Sequence, residues 1–250
     1  MKPELIVFDL DGTLAPSKSE MDSEMSDLLC RLLSRYYVAV ISGGSYTQFE
    51  RQFLTSFSCA ADPGTLFLQP TSGAMMYVFD GTQWVQTYAK TLSREQKKRI
   101  REAFEVAYRE TGYAPSDLAD GEIIEDRETQ MTFSALGQKA PLSEKEVWDP
   151  DMAKRRRIKA VLDPILSDEF EVSIGGTTSI DVTQKGITKA FGIRTLSETL
   201  GIPEEKMLFV GDALEEGGND AAVLETDAET HAVESVDDTK AIIRTLIEKA

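Results

Sequence analysis

Four short, almost wholly apolar runs constrain this chain most: LIVFD (5–9), VAVIS (38–42), TLFLQP (65–70) and MLFVGD (207–212). Runs of this length without polar alternation read as strands buried on both faces. Between the first three lie an amphipathic segment, SEMDSEMSDLLCRLLSRY (19–36), and a polar helical one from Ser45. Strands alternating with helices predict a parallel sheet covered on each side.

The pattern changes in mid-chain. MMYVF (75–79) and TQWVQTY (82–88) flank Asp80-Gly81, a two-residue hairpin signal. A long charged helix is predicted from Ser93 to about Gly112, then strands near EIIEDRE (122–128) and MTFSAL (131–136). A helix from about Asp149 to Leu166 and the strands FEVSIG (170–175) and SIDVT (179–183) follow. Paired strands with two helices predict an antiparallel sheet carrying its helices on one face. From about Thr188 the first pattern returns: a helix, MLFVGD, a helix after Gly218, a short strand HAVES (231–235) and a last helix from Asp237. A parallel-sheet domain is therefore expected to be interrupted by an inserted one. The 250 residues, 41% of them hydrophobic, suffice for such an arrangement.

Bulk charge excludes some functions. A formal net charge of −16 would repel nucleic acid and anionic membranes alike, so neither is an expected partner. No apolar stretch is long enough to span a bilayer, and the chain enters its first strand without a basic leader. Cys30 and Cys59 show no metal-ligand spacing; two free structural thiols in a reducing compartment are expected, and with them a cytoplasmic location.

Ligands of open parallel sheets bind at the carboxyl ends of the strands. The residues there are Asp9 and Asp11, then Ser42 with Gly43 and Gly44, and Asp212. Acids on adjacent strand ends repel one another unless a cation lies between them, and Mg²⁺ suits a site of few carboxylates that keeps water for substrate oxygens. A carboxylate can attack phosphorus and form an aspartyl-phosphate, while a second acid protonates the leaving oxygen. Ser42 and the amides of Gly43 and Gly44 suit the phosphoryl oxygens, and a nearby lysine would balance the intermediate's charge.

IVFDLDGTL, VISGGS, a lysine late in the chain and FVGDALEEGGND resemble, in order, the four motifs of the haloacid dehalogenase superfamily. That resemblance implies Asp9 as nucleophile and Asp11 as acid/base, with Asp9, the backbone carbonyl of Asp11 and Asp212 on Mg²⁺. It places Asn219 and Asp220 around the metal's ligands. For the lysine, ITKAFGI begins the helix that returns to the core and favours Lys189, with Lys185 as the alternative.

The inserted segment is similar more narrowly to the cap of eukaryote-type phosphomannomutases, a type IIB branch of that superfamily. IEDRETQMTFSALGQ and SIGGTTSIDV carry the likeness. By position, Arg127 would bind a phosphate and Ser179 and Asp181 sugar hydroxyls. Relatives of this kind pair through their caps, which would make a homodimer. The departures concern cations. Lys18 and Gln138 stand where the family has arginines, and Tyr113 to Glu122, where it has another, contains no basic residue. Lys139 is a partial substitute on the opposite side of a strand. Fewer clamps would weaken retention of a sugar bisphosphate and admit water to the aspartyl-phosphate.

The resulting expectation is an α/β enzyme: a Rossmann-like parallel-sheet core of residues 1–82 and 186–250 with an inserted α+β cap of residues 83–185. Its expected reaction is Mg²⁺-dependent hydrolysis of a sugar phosphate or similar small phosphomonoester through Asp9, with a phosphomannomutase or phosphoglucomutase as the alternative. The run Lys154 to Arg157 falls in a helix with Ile158, Val161 and Leu162 and reads as a solvated face. His231, the only histidine, lies away from the motifs.

Overall fold

The computed structural model describes residues 2–59, 63–114 and 121–249, in two compact units. The first, Met1–Ala89 with Thr188–Ala250, opens with β1 (Leu5–Asp9), buried at every position. Helix α1 (Ser23–Leu33) starts where the Asp22 carboxylate accepts from the Met25 N–H at 2.8 Å, and it buries Met25, Leu28, Leu29, Leu32 and Leu33. Strand β2 (Tyr37–Ile41) leads into the short α2 (Tyr46–Phe49), which widens into a π-helical turn over Glu50–Leu54. The wide turn closes on the Thr55 N–H, which donates to the Glu50 carbonyl at 2.9 Å. Strand β3 (Leu66–Gln69) is followed by the hairpin of β4 (Met75–Phe79) and β5 (Trp84–Ala89). In its turn the Asp80 carboxylate accepts from the Thr82 and Gln83 N–H groups.

The second unit, Lys90–Ile187, begins with α3 (Arg94–Thr111), fixed by a reciprocal Ser93/Gln96 cap and ended by Gly112 at φ +71°. Then come β6 (Ile124–Asp126), β7 (Gln130–Ser134), α4 (Leu142–Trp148), α5 (Ala153–Leu166), β8 (Phe170–Gly175) and β9 (Ser179–Gln184). The strands form an antiparallel sheet in the order β6-β7-β9-β8. Alternation along β7 and β9 sends Met131, Phe133, Ile180 and Val182 into a core with Ile100 and Phe104 of α3 and Ile158 and Leu162 of α5. The intervening Gln130, Thr132 and Ser134 stand opposite Thr183, Asp181 and Ser179 as a polar face.

The chain re-enters the first unit with α6 (Lys189–Leu200), β10 (Met207–Gly211), β11 (Glu229–Ala232) and α7 (Val236–Lys249). The seven-stranded sheet has the order β11-β10-β1-β2-β3-β4-β5, parallel from β11 to β3 and antiparallel at the hairpin. Ile6, Phe8, Val38 and Val40 pack with residues of α1 and α7, and Leu5, Val7, Ala39 and Ile41 with Ile193 and Leu196 of α6.

Several expectations need correction. Because β5 pairs with β4, the first unit runs to Ala89 rather than residue 82, and it resumes at Thr188 rather than 186. The helix predicted from Asp149 starts at Ala153, since the Asp149 carboxylate instead accepts from the N–H groups of Lys154 and Arg155 at 2.9 and 3.0 Å. Helix α4 was not expected, only a 3₁₀ turn (Ala221–Glu225) follows Gly218, and the strand predicted at 231–235 lies at Glu229–Ala232. Arg155 does not share a solvated face: it is buried and ion-paired to Asp149 at 2.9 Å. Cys30 and Cys59 are joined in a disulfide, which corrects the expectation of free thiols and removes that support from a cytoplasmic placement. Among the described residues no helix is long and apolar enough to cross a membrane.

Candidate active site

Strands β1 and β10 pair in parallel, so the acids that follow them emerge at the same sheet edge. Asp9, the last residue of β1, is 1% exposed. Its Oδ1 accepts from the Lys189 Nζ at 2.6 Å. Lys189 is itself buried at the first position of α6 and donates also to Asp220 Oδ1. The second Asp220 oxygen accepts from the Ala213 N–H at 3.1 Å. Asp9 Oδ2 is buried with no partner among the described residues, and the same holds for Asn219 Oδ1. One oxygen each of Asp9, Asp212 and Asp220 lies within 4.8 Å of the others.

Two glycines make room for this cluster. A Cβ on Gly12, which sits at φ +83°, would lie 2.2 Å from Asp212 Oδ2. One on Gly211 would lie 2.4 Å from Asp220 Oδ2. The Gly of the first motif is therefore required both by the turn and by the approach of a carboxylate.

Electrostatics mark the cluster as short of positive charge. Burial raises the Asp9 carboxyl well above its ordinary value; Lys189 opposes this, while Asp220 and Asp212 add to it. Asp212 is exposed as a residue, yet desolvation of its carboxyl, aided by the Asp220 charge, pushes it up to about 6. Burial alone would lower Lys189, but Asp220 and Asp9 outweigh it and hold the ammonium charged. One lysine thus serves three acids. An orphaned buried oxygen beside a second open carboxylate fits a small hard divalent cation such as Mg²⁺. Asp9 and Asp212 would hold it. Asp220, both of whose oxygens accept protein hydrogen bonds, would orient Lys189 and the loop after β10.

Ser42 follows β2, is 2% exposed, and accepts from the Gly44 N–H at 3.1 Å, leaving its own hydroxyl hydrogen to donate elsewhere. The Gly44 carbonyl accepts from the Thr71 N–H at 2.9 Å, which pins the Ser42–Gly43–Gly44 loop from behind. The carboxylate of Asp11 points into a different network from that of Asp9. Its Oδ1 accepts from the Lys18 N–H at 2.7 Å and from Gln52 Nε2 at 3.1 Å, and its Oδ2 from Gln48 Nε2 at 2.9 Å. Sequence reasoning missed both glutamines. They lie four apart in the polar segment after Ser45, and nothing in that spacing distinguishes them from solvated side chains.

Of the two lysines, Lys189 is brought to Asp9, whereas Lys185 lies exposed in the second unit with its Nζ on the Ser167 carbonyl at 2.6 Å. Arg127, Ser179 and Asp181 also belong to the second unit. Arg127 pairs with Glu125 at 2.7 Å, and Asp181 accepts from the Thr132 hydroxyl at 2.7 Å across the β7–β9 pair. Gly175 lies under Asp181, where a Cβ would come within 2.7 Å of the carboxylate. Lys18 adopts φ +55° and holds Asp11 through its backbone. The Gln138 carbonyl accepts from the buried Lys145 Nζ at 2.8 Å, and Lys139 is exposed. Of the basic-poor stretch Tyr113 to Glu122, residues 115–120 lie outside the described residues.

Known proteins resemble this chain in sequence and in fold. The phosphomannomutase of Spinacia oleracea is 26% identical over 245 residues, covering 95% of this chain and 94% of that protein. That of Galdieria sulphuraria is 28% identical over 242 residues, covering 94% and 91%. Among solved structures, an N-terminally truncated Plasmodium falciparum IMP-nucleotidase superposes with a TM-score of 0.74 at 17% identity, over 98% of this chain and 70% of that one. A haloacid dehalogenase-like hydrolase from Bacteroides thetaiotaomicron does so with a TM-score of 0.61 at 16% identity over 100% of both. These fix the fold as haloacid dehalogenase-like with an inserted cap. A family model described as eukaryotic phosphomannomutase matches residues 25–249, and the chain belongs to that family.

Proposed function

We propose that this protein is a Mg²⁺-dependent phosphosugar mutase that works through an aspartyl-phosphate on Asp9. The observation that carries the reading is Asp9 itself: buried, held at one oxygen by Lys189 and open at the other beside Asp212, in a chain whose family model spans residues 25–249. Hydrolysis came first on the sequence alone. The family match over nearly the whole chain puts the mutase first and hydrolysis second.

In this reading an Asp9 oxygen forms a bond to phosphorus as the bond to the sugar oxygen breaks. Bound Mg²⁺ would supply charge neutralisation between nucleophile and phosphate. Lys189 holds Asp9 in place and offsets the charge of its neighbours, and the Ser42 hydroxyl with the Gly43 amide would hold the phosphoryl oxygens. Asp11 gives its proton to the leaving oxygen and regains one from the group that next attacks the aspartyl-phosphate. Asp11 would add its backbone carbonyl to the metal, and Arg127, Ser179 and Asp181 would select the sugar phosphate. A homodimer paired through the second unit belongs to the same reading, and a monomer mass by light scattering would remove it.

The second reading, hydrolysis, draws on Lys18 and Gln138 where relatives have arginines. One assay separates the two. Mannose 1-phosphate and glucose 1-phosphate are each incubated with Mg²⁺, with and without the matching 1,6-bisphosphate, and free phosphate and 6-phosphate are followed together. Activator-dependent 6-phosphate is the expected result. Phosphate released without activator would replace the mutase by a phosphatase, and no turnover of any kind would end both readings.

A further inference from the structure

The Asp11 carboxylate is held from three sides by donors on two separate segments. The Lys18 N–H and Gln52 Nε2 reach Oδ1 at 2.7 and 3.1 Å, and Gln48 Nε2 reaches Oδ2 at 2.9 Å. The two glutamines are also bonded to each other, Gln48 Nε2 donating to Gln52 Oε1. Gln52 in turn is fixed from the loop after β1: its Nε2 donates to the Ser19 carbonyl at 3.1 Å, and its own carbonyl accepts from the Met21 N–H at 2.8 Å. Gln52 is 3% exposed, so these bonds form away from bulk water. It lies in the π-helical turn, a distortion that positions a side chain at the expense of regular helix bonding.

From this geometry we infer that Gln48 and Gln52 are positioning residues for the proton transfer at Asp11, an inference that rests on the reading of Asp11 as acid/base. The chemistry of an amide fits the task. An acid/base group alternates between a carboxylate, which only accepts, and a carboxyl, which must also donate. A lysine or arginine in place of the glutamines would serve the first state only, and an aliphatic residue neither. A primary amide serves both, because its neutral NH₂ donates to the ionised carboxylate and equally to the acceptor lone pairs of the protonated acid, whose own O–H stays free for the leaving oxygen. The pair therefore keeps Asp11 aimed at the leaving oxygen through both halves of the reaction. Gly44 belongs to the same device, since a Cβ there would meet Gln48 Oε1 at 2.5 Å and force the amide away.

The inference predicts a dependence on leaving group. A sugar alkoxide needs a proton as it departs, whereas 4-nitrophenolate leaves without one. Gln52→Leu, and Gln48→Asn as a milder change at a half-buried position, are compared with wild type and with Asp11→Asn. The measured quantity is kcat/KM on mannose 1-phosphate with mannose 1,6-bisphosphate present, and on 4-nitrophenyl phosphate, with Mg²⁺ saturating and thermal melts alongside. Misaiming a general acid lowers the sugar-phosphate value by about ten- to a hundredfold, carried by kcat rather than KM, and the aryl-phosphate value by less than about threefold. Equal loss on both substrates, or no loss on either, would overturn the inference while leaving Asp11→Asn with its own selective defect. If Asp11→Asn itself shows no such selectivity, the acid/base reading falls and the inference with it.

Discussion

Asp9, Asp212 and Asp220 crowd together with one ammonium between them, and this surplus of negative charge is the property of single residues that is most open to test. A bound divalent cation relieves it, so Mg²⁺ should stabilise the fold as well as support turnover. At a hundredfold excess over its dissociation constant the gain is about 2.7 kcal/mol. For a chain of this length that raises the melting temperature by roughly 5–10 °C, reversed by EDTA. Asp212→Asn, which removes one of the two open oxygens, should abolish most of that shift; an unchanged shift would place the ion elsewhere. Gly12→Ala should be harsher than its size suggests, because the new Cβ meets Asp212 Oδ2 at 2.2 Å and the backbone stands at φ +83°. Activity should fall by about a hundredfold with a rise in the Mg²⁺ concentration needed, in line with small displacements of reacting groups. Asp9 and Asp212 were legible in the sequence because strand ends of a parallel sheet converge, whereas Asp220, in the loop after β10, followed only from the family resemblance. The partners of Asp11 were not legible, because a glutamine on a polar helix looks the same whether it faces solvent or a carboxylate.

Among the elements, α5 shows how a local charge run can mislead. Lys154 to Arg157 fits a solvated helix face by periodicity, yet Arg155 is 2% exposed and bonds to Asp149 and to the carbonyls of Gly175 and Gly176. It thereby fastens the start of α5 to the turn between β8 and β9 that leads into Ser179. The sequence carried the helix and both strands, but which arginine of four basic residues turns inward depends on the packing of α5 against β8. Burial alone would raise the Asp149 carboxyl, but hydrogen bonds from the Arg155 side chain and the Lys154 and Arg155 N–H groups outweigh it and hold it below the ordinary value. A depressed folded value means that the stabilisation is present above the unfolded carboxyl range and is lost as pH falls through the folded one. Arg155→Met leaves the buried carboxylate without its cation and should cost about 3–5 kcal/mol at pH 7, measured by urea titration. The difference from wild type should shrink only once the pH has fallen below the ordinary carboxylate range and acid has protonated Asp149. A penalty that is absent at pH 7 would mean that the turn is held by other contacts.

At the scale of the whole molecule, each unit has a core of its own, and each holds one of the two tryptophans. Trp84 lies in β5 against Phe79, and Trp148 at the end of α4 against Tyr113. The alternation of apolar runs made the insertion legible, but not its edge: the β4–β5 hairpin pattern says that two strands pair with each other and is silent on which sheet they extend. The disulfide was equally hidden, because two cysteines 29 residues apart carry no sign of whether the fold brings them together. Cys30 lies in α1 and Cys59 beyond the π-helical turn, so the bond closes a loop wholly inside the first unit. Closing a loop of that size stabilises by about 3–4 kcal/mol in the chain-entropy account. Separate cores make independent transitions the expectation. With Trp148→Phe, leaving Trp84 as reporter, reductant or Cys59→Ser should lower the melting temperature by roughly 10 °C. With Trp84→Phe, leaving Trp148, the transition should stay where it is. A common shift at both tryptophans would mean that the units unfold as one. No shift at Trp84 would mean that the disulfide is absent from the purified protein, and counting free thiols under denaturing conditions would decide it.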